Sequence, residues 1–336
     1  MIDIKDILTP FLTHHEADLA NAGDPVLAHC DLAYSRWLLG DTPFATQAAV
    51  GQFLNLLESR ELAGTIRRDA PKVNVHTTAY ALGVLNLVDE DHAQDIADRL
   101  SSLDWQWEAL IAPDTLIPRW PWKYTHHSWR VSHWIGGSAS IVASLWRLAP
   151  ATAEKIGLPQ SAEVLSACDS LIDGRSGLFR TYKSDLLQKG FRSLYRLRHD
   201  PDAGDVGGIV HLHWVNHALG RVPYKAADAL FDRAWKLMQK EPFMEKVPYC
   251  LDFDIVQIVR TANPEQARQP HVRKRAERYA ADIIKFFRFG VDNSYSLHKL
   301  PGALATLHEC AMITEDETVA GLTIAPRDVM LAAYWI

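Results

Sequence analysis

Histidine and aspartate residues stand at the beginning of several apolar segments of this sequence. His76 and His133 open two such segments at equivalent places, and Asp205 and Asp252 open two others. A carboxylate with aromatic neighbours is expected to have a raised pKa, which suits a general acid that works with a second carboxylate as base. We therefore predict Asp205, Asp252 and His133 as catalytic residues, and His76 as a residue that binds the substrate.

Asp252 is followed two positions later by Asp254 within one apolar run, YCLDFDIVQIVR. An unpaired charge in such a run is costly, so both carboxylates need a chemical or structural reason. On a helix, residues two apart point in nearly opposite directions, so only one of the two can face a shared site. Asp205, for its part, could equally be an ordinary helix N-cap.

Tryptophan is concentrated in one part of the chain. Seven of the eleven tryptophans lie between residues 105 and 146, and three of them, Trp122, Trp129 and Trp134, flank a histidine-rich loop. Flat aromatic faces suit the C–H faces of sugar rings, and the indole N–H can bond a hydroxyl. We predict that a sugar is bound by a set of residues at this end of the molecule: Trp122, Trp129, Trp134, Arg130, His76, His213 and Tyr249.

The histidines do not form a recognisable metal motif. His211 and His213 would point about 200° apart on a helix, so they cannot share a metal. His213 and His217 could, but no carboxylate stands at ligand spacing and there is no HExxH. The sequence also lacks a Walker loop and GxGxxG. We expect neither a metal nor a cofactor.

These residues would be positioned by two kinds of helix that alternate along the chain. Segments that are apolar on nearly every side must be covered on every side, and they occur at 75–88, 133–149, 205–219, 249–260 and 297–312, with 25–39 as a sixth candidate. Amphipathic partners precede them at 43–63, 92–110, 225–240 and 270–289. The pattern predicts an all-α protein in which an inner ring of helices is covered by an outer ring. Small residues such as Gly136, Gly137 and Gly302 would let the inner helices approach closely. No linker divides residues 1–336, which we read as a single domain.

This organisation, with inner helices that start at His, Asp or Trp, resembles the six-hairpin glycosidase-like (α/α) toroid superfamily over roughly residues 25–335. It looks most like the unsaturated glucuronyl hydrolases. The resemblance implies a glycoside hydrolase that acts on an oligosaccharide by carboxylate acid/base catalysis, with Asp205 or Asp252 as catalytic residue and with His133 and Trp134 at the sugar.

Three other functions remain open at this point. The polysaccharide lyases share the fold and work with His, Tyr, Asn and Arg. Residues of those types stand at Asn74, His76, Tyr80, Arg130, His133 and Tyr249. A non-catalytic sugar-binding protein of a polysaccharide pathway is the second alternative. An isoprenoid cyclase, which stabilises carbocations with aromatic walls, is the third and is less favoured, since Asp252-Phe-Asp254 is only half of a DxDD motif.

Composition limits the partners and the compartment. The net charge is −6, and the longest basic run is Arg273-Lys274-Arg275, so nucleic acid is not an expected partner. No apolar run is long enough to span a bilayer. The N-terminus lacks the features of a signal peptide, and the four separated cysteines are typical of reduced thiols, which together indicate a cytoplasmic protein. The loops 111–128 and 173–204 could close the site or mediate a homodimer.

Overall fold

The computed structural model describes residues 4–59, 74–103, 127–169, 172–178, 186, 190, 193–194, 201–222, 226–240, 243–244, 246–292, 294–315, 318–319 and 321–336. Within helices and strands, the description of 59, 74, 127–134, 201–205, 318–319 and 322–323 is limited to the backbone.

Most of the described residues are helical, which confirms the all-α prediction. The helices are α1 (Ile4–Ala17), α2 (Pro25–Leu38), α3 (Gln47–Ser59), α4 (Asn74–Leu85), α5 (Ala93–Ser101), α6 (His127–Leu148), α7 (Pro150–Lys155), α8 (Ser161–Asp169), α9 (Pro201–Ala218), α10 (Ala227–Met238), α11 (Cys250–Thr261), α12 (Pro264–Ala267), α13 (Pro270–Phe289), α14 (Leu300–Thr314) and α15 (Val329–Ala333). Short 3-10 turns lie at Leu19–Asn21, Glu90–His92 and Leu297–Lys299, and two two-residue strands, β1 (Thr318–Val319) and β2 (Leu322–Thr323), pair antiparallel.

Six apolar helices contact one another in a cycle. In order these are α2, α4, α6, α9, α11 and α14, and α14 contacts α2 again. They correspond to the five inner segments of the sequence analysis and to the sixth candidate at 25–39. In α14, for example, every residue from Leu300 to Ala311 is buried. A helix that is apolar all round is thus surrounded by other helices, as expected.

Amphipathic helices pack against this set. α13 extends over 270–289 as predicted, with Pro270 at a first-turn position where a missing N–H costs nothing. Its buried face includes Val272, Tyr279 and Ile283, and it contacts α14. α10 contacts α11 in the same way. None of the helices in the described ranges combines the length and the apolarity needed to cross a bilayer.

Glycines allow two pairs of inner helices to touch through their backbones. A Cβ added to Gly136 of α6 would lie 2.5 Å from the Cβ of His211 in α9. A Cβ on Gly302 of α14 would lie 2.6 Å from the Cα of Cys250, the first residue of α11. The predicted role of small residues at these two contacts is therefore confirmed.

Two predicted helix starts are wrong. α6 begins at His127 rather than near His133, and α9 begins at Pro201 rather than at Asp205. Pro201 lies at the first helical position, where proline is favoured, so Asp205 lies inside the first turns of α9 and is not its N-cap. His133 likewise lies within α6.

The C-terminal segment 329–336 packs against α4 and α9, although no sequence pattern predicted this contact. Asp328 caps α15 by accepting hydrogen bonds from the backbone N–H groups of Met330 and Leu331, both at 3.1 Å. α15 contacts α9 and α4. Beyond it, Trp335 and Ile336 are buried in the same core as Leu8 and Phe11 of α1.

Candidate functional site

A cavity of about 170 Å³ lies where several inner helices begin. Four inner helices, the turn Leu297–Lys299 and the C-terminal segment contribute to its wall. The lining residues are His76, Tyr80, His211, Trp214, Cys250, Asp254, His298, Pro301, Gly302 and Ile336. We call this the helix-start cavity. His76 is thereby placed where the sequence analysis expected it, beside polar groups from other helix starts.

His298 belongs to a hydrogen-bonded group that reaches into the protein. Its Nδ1 lies 3.0 Å from Oδ1 of Asp31 in α2, and the same oxygen accepts a bond of 2.7 Å from the Tyr80 hydroxyl. The side chain of His298 is 51% exposed, whereas that of Asp31 is 4% exposed. The hydrogen bond to Asp31 is the main reason why the pKa of His298 is raised. An imidazole backed by a buried carboxylate in this way is suited to take up a proton.

Asp254 supplies a carboxyl group to the same cavity. It is 2% exposed, and within the described residues its Oδ1 has no hydrogen-bond partner. Burial, and then the negative charge of Asp252, raise the pKa of Asp254 well above the ordinary value. The group therefore favours its neutral form, which can donate a proton or a hydrogen bond.

Asp252, predicted as catalytic, has a different position. Its carboxylate accepts bonds of 3.0 Å from the backbone N–H groups of Met244 and Tyr249, and a further bond from the Tyr279 hydroxyl. Together with Tyr249 it forms a capping box at the start of α11. Neither Asp252 nor Tyr249 lines the helix-start cavity. Of the two aspartates that were expected to face opposite ways, the one that faces the cavity is Asp254.

The two histidines in the middle of α9 also face opposite ways, as predicted. His211 lines the cavity, and burial, followed by the neighbouring His76, lowers its pKa to about 3. His213, which was predicted to bind substrate, points to α11 instead: its Nε2 lies 2.7 Å from the Thr261 hydroxyl. It is fully buried, and burial is the main cause of its low pKa of about 3. These contacts make His213 part of the packing between α9 and α11.

His76 is held between aromatic side chains. Its ring stacks on that of Tyr80, with the centroids 5.9 Å apart and the planes 10° apart. Its Nδ1 accepts a hydrogen bond of 3.1 Å from the indole N–H of Trp335. The C-terminal segment thus contacts the cavity directly.

Asp31, His298 and Asp254 are the residues that sequence reasoning missed or set aside. Asp31 lies within the apolar segment 25–39, and His298 lies two residues before the apolar helix α14. The sequence did offer a signal for Asp31, because a charged residue inside an apolar helix needs a partner.

Several predicted site residues remain predictions. Trp122 lies outside the described residues. Trp129, Arg130, His133 and Trp134 lie on α6, and Asp205 lies on α9, in the parts of these helices where the side chains are outside the description. α6 and α9 do contact each other.

Within the described ranges, no three His, Cys, Asp or Glu side chains are grouped so that they could hold a metal ion. All four cysteines are unpaired. Compared with protein-family models, curated proteins and solved structures, the chain matches none, so that its function has to be argued from the site itself.

Proposed function

We propose that this chain is a carbohydrate-active enzyme, built as an (α/α)6 toroid in a single domain, with the helix-start cavity as its active site. The cycle of contacts among the six apolar helices supports the toroid, because a closed ring of helices requires such a cycle. The meeting of several helix starts at one cavity supports the placement of the site.

The cavity suits a single sugar ring. Its volume of about 170 Å³ is smaller than the roughly 300–1,000 Å³ of pockets that hold drug-sized ligands. Tyr80 and Trp214 contribute aromatic surface to its wall. The indole N–H of Trp214 has no hydrogen-bond partner among the described residues and could bond a hydroxyl.

The observation that carries the catalytic proposal is the pairing of an acid with a base in this cavity. Asp254 is a buried carboxyl that favours its neutral form, and His298 is a half-exposed imidazole oriented by Asp31. Their pKa values are perturbed by burial and by a specific partner, which is typical of functional sites. General acid–base catalysis by such groups contributes on the order of 10²–10⁴-fold to a rate.

Elimination from a uronide is the reaction that the described groups support best. Nε2 of His298 would take the proton from the carbon next to the sugar carboxylate. The C–H electrons would form the new C=C bond, the glycosidic C–O bond would break, and an acid would return a proton to the leaving oxygen. Neutral Asp254 supplies that proton.

Hydrolysis of a glycosidic bond is the second candidate. A carboxyl with a raised pKa is what a glycosidase needs as general acid, and Asp254 meets this requirement. The base would then be His298, or Asp205 as the second carboxylate that the sequence analysis proposed.

A panel of oligosaccharides and uronides, read by mass spectrometry, tests both candidates. The products of hydrolysis sum to the substrate plus one water, whereas the products of elimination sum to the substrate alone and absorb in the ultraviolet. We expect Asp254→Asn and His298→Gln each to lower turnover by about 10²–10⁴-fold. The matched controls Asp232→Asn and His271→Gln, at exposed positions, should leave it unchanged.

Two results would contradict the proposal. Full turnover in both Asp254→Asn and His298→Gln would show that these two residues are not the catalytic acid and base. Binding of a panel sugar without turnover by the wild type would make the chain a sugar-binding protein instead.

A further inference from the structure

Of the three histidines that line the helix-start cavity, His76 and His298 bond to partners of opposite hydrogen-bonding character. His76 is paired with an indole, and His298 with a carboxylate. An indole N–H can only donate a hydrogen bond, and an ionised carboxylate can only accept one. Each partner therefore decides which ring nitrogen of its histidine carries the proton.

Trp335 fixes the proton of His76. Its Nε1–H donates to Nδ1 of His76 over 3.1 Å, so this nitrogen must offer its lone pair. A neutral imidazole has one protonated and one unprotonated nitrogen. The proton of neutral His76 is therefore on Nε2, and protonation of the ring would break the bond to Trp335.

Asp31 fixes the proton of His298 in the opposite way. Its Oδ1 accepts from Nδ1 of His298 over 3.0 Å, so Nδ1 carries the proton. In the neutral ring the lone pair is then on Nε2. The Tyr80 hydroxyl bonds the same carboxylate oxygen at 2.7 Å and helps to hold it in place.

We infer that the cavity holds two of its three histidines in opposite tautomers, His76 as a hydrogen-bond donor through Nε2 and His298 as a proton acceptor through Nε2. Trp335 is the positioning residue for His76, as Asp31 is for His298. The inference deepens the proposed function and rests on it for its chemical meaning. A donor at His76 and an acceptor at His298 predict a substrate that carries an acceptor oxygen, such as that of a carboxylate, close to the C–H or O–H group that gives up a proton.

The surroundings of Trp335 leave its indole little freedom. The ring stacks on His211 with the centroids 4.7 Å apart and meets Trp214 edge to face at 5.5 Å. Its backbone carbonyl accepts a hydrogen bond from the Tyr34 hydroxyl. A Cβ on Gly83 would lie 2.9 Å from that carbonyl oxygen. The wall is thus shaped around Trp335, and the indole N–H is directed at His76.

The tautomers can be measured without a substrate. In ¹⁵N-histidine-labelled protein, in alkaline buffer where the rings are neutral, the two ring-nitrogen shifts of each histidine report which nitrogen is protonated. His76→Gln and His298→Gln assign the two sets of signals. We expect Nε2–H for His76 and Nδ1–H for His298 in the wild type.

Three variants then test the cause. Trp335→Phe keeps the aromatic packing but removes the donor, and should shift His76 toward a mixture of tautomers with His298 unchanged. Asp31→Asn should shift His298 and leave His76 unchanged. Trp214→Phe removes an indole N–H that does not bond His76, and should shift neither. A reciprocal variant, His76→Phe, should speed the solvent exchange of the Trp335 indole proton even if Trp335→Phe does not fold.

The outcomes separate the inference from the proposed function. Nδ1–H on His76 in the wild type, or no response of His76 and of the Trp335 indole to these variants, would overturn the inference. The expected tautomers in a protein that cleaves no panel sugar would support the inference and count against the proposed function.

Discussion

At the scale of single residues, Asp252 and Asp254 show how position decides the role of a carboxylate. Asp252 receives two backbone N–H bonds and a tyrosine hydroxyl bond, so that both of its carboxylate oxygens have a partner. Asp254, two positions later, has an oxygen without any partner in the described part of the chain. One carboxylate is therefore satisfied and structural, and the other is available for chemistry.

This contrast predicts opposite effects of the same substitution. Asp252→Asn turns one acceptor oxygen into an N–H₂ group facing a backbone N–H, and should lower the free energy of unfolding by about 1–3 kcal/mol. Asp254→Asn should leave the free energy of unfolding near neutral pH unchanged or raise it, because it removes a buried group that resists ionisation, while it lowers turnover by about 10²–10⁴-fold. Urea denaturation of the two variants measures this. A destabilised Asp254→Asn protein beside an unaffected Asp252→Asn protein would reverse the two assignments.

The pH dependence of stability follows from the raised pKa of Asp254. A group whose pKa is raised by folding stabilises the folded state below its unfolded pKa, and that contribution is lost as the pH rises through the folded pKa. The free energy of unfolding of the wild type should therefore fall, relative to that of Asp254→Asn, as the pH rises above the ordinary carboxyl value of 3.8. Urea titrations of both proteins across the acid and neutral range give the difference. Parallel curves for the two proteins would show that Asp254 does not titrate differently on folding.

Activity should depend on pH through His298. The ring must be neutral to accept a proton, so turnover should fall as the pH drops through the raised pKa of His298. Asp31→Asn weakens the hydrogen bond that is the main cause of the raised pKa of His298, and it also removes the negative charge. The pH below which turnover falls should therefore move to a lower value. NMR titration of His298 measures the same shift without a substrate. If turnover falls at the same acid pH in Asp31→Asn as in the wild type, a group other than His298 controls that fall.

At the scale of the helices, close approach between backbones determines where the cavity residues lie. Gly136 of α6 lies against the backbone of His211 in α9, which is itself a cavity residue. Any side chain at position 136 must push α9 away, since the nearest atoms belong to backbone and Cβ rather than to a flexible side-chain end. The position of His211 thus depends on the absence of a side chain one helix away.

Gly136→Ala should accordingly be destabilising. Insertion of a methyl group into a packed interior typically costs about 1–3 kcal/mol. Gly51 of α3 is a matched control, because nothing lies within 4 Å of a Cβ added there, and Gly51→Ala should raise the free energy of unfolding by roughly 0.5–1 kcal/mol. Urea denaturation measures both. Equal stabilisation by the two substitutions would mean that α6 and α9 are not in backbone contact.

The elements were more predictable from the sequence than the site was. Helical periodicity is local, so the extent of α13 and the apolar character of α2 and α14 could be predicted from neighbouring residues. The bond between Asp31 and His298 joins residues 267 positions apart, and no local pattern encodes such a pair. Helix geometry predicted that only one of Asp252 and Asp254 could face a shared site. Which of the two does so depends on how α11 is placed against its neighbouring helices, and this cannot be read from the sequence.

At the scale of the whole molecule, a second cavity marks the other ends of three inner helices. We call it the helix-end cavity; its volume is about 440 Å³, and its lining includes His217 of α9, Arg260 of α11 and Ile313 of α14. Arg260 pairs there with the fully buried Glu309, and with Asp328 at 2.6 Å. His217 bonds Asp328 at 2.8 Å. Because Asp328 also caps α15, this ion network connects the inner helices to the segment that carries Trp335 to the helix-start cavity.

Arg260 should therefore matter for the stability of the entire protein. Arg260→Met leaves Glu309 buried without its counter-charge, which typically costs about 3–5 kcal/mol. The double variant Arg260→Met/Glu309→Gln removes both charges and should be more stable than the single variant. Arg273→Met is the matched control, since Arg273 pairs with the exposed Glu315 at 2.6 Å and such pairs contribute about 0–1 kcal/mol.

Urea denaturation gives the free energy of unfolding of each variant, and a double-mutant cycle isolates the coupling between Arg260 and Glu309. Because Trp335 follows the helix that Asp328 caps, Arg260→Met should also speed the solvent exchange of the Trp335 indole proton, whereas Arg273→Met should not. Equal, small losses of stability in the two arginine variants would show that the network is solvated and does not hold the C-terminal segment. A large loss confined to Arg260→Met, with faster exchange at Trp335, would mean that the helix-end cavity and the helix-start cavity are coupled through residues 328–335.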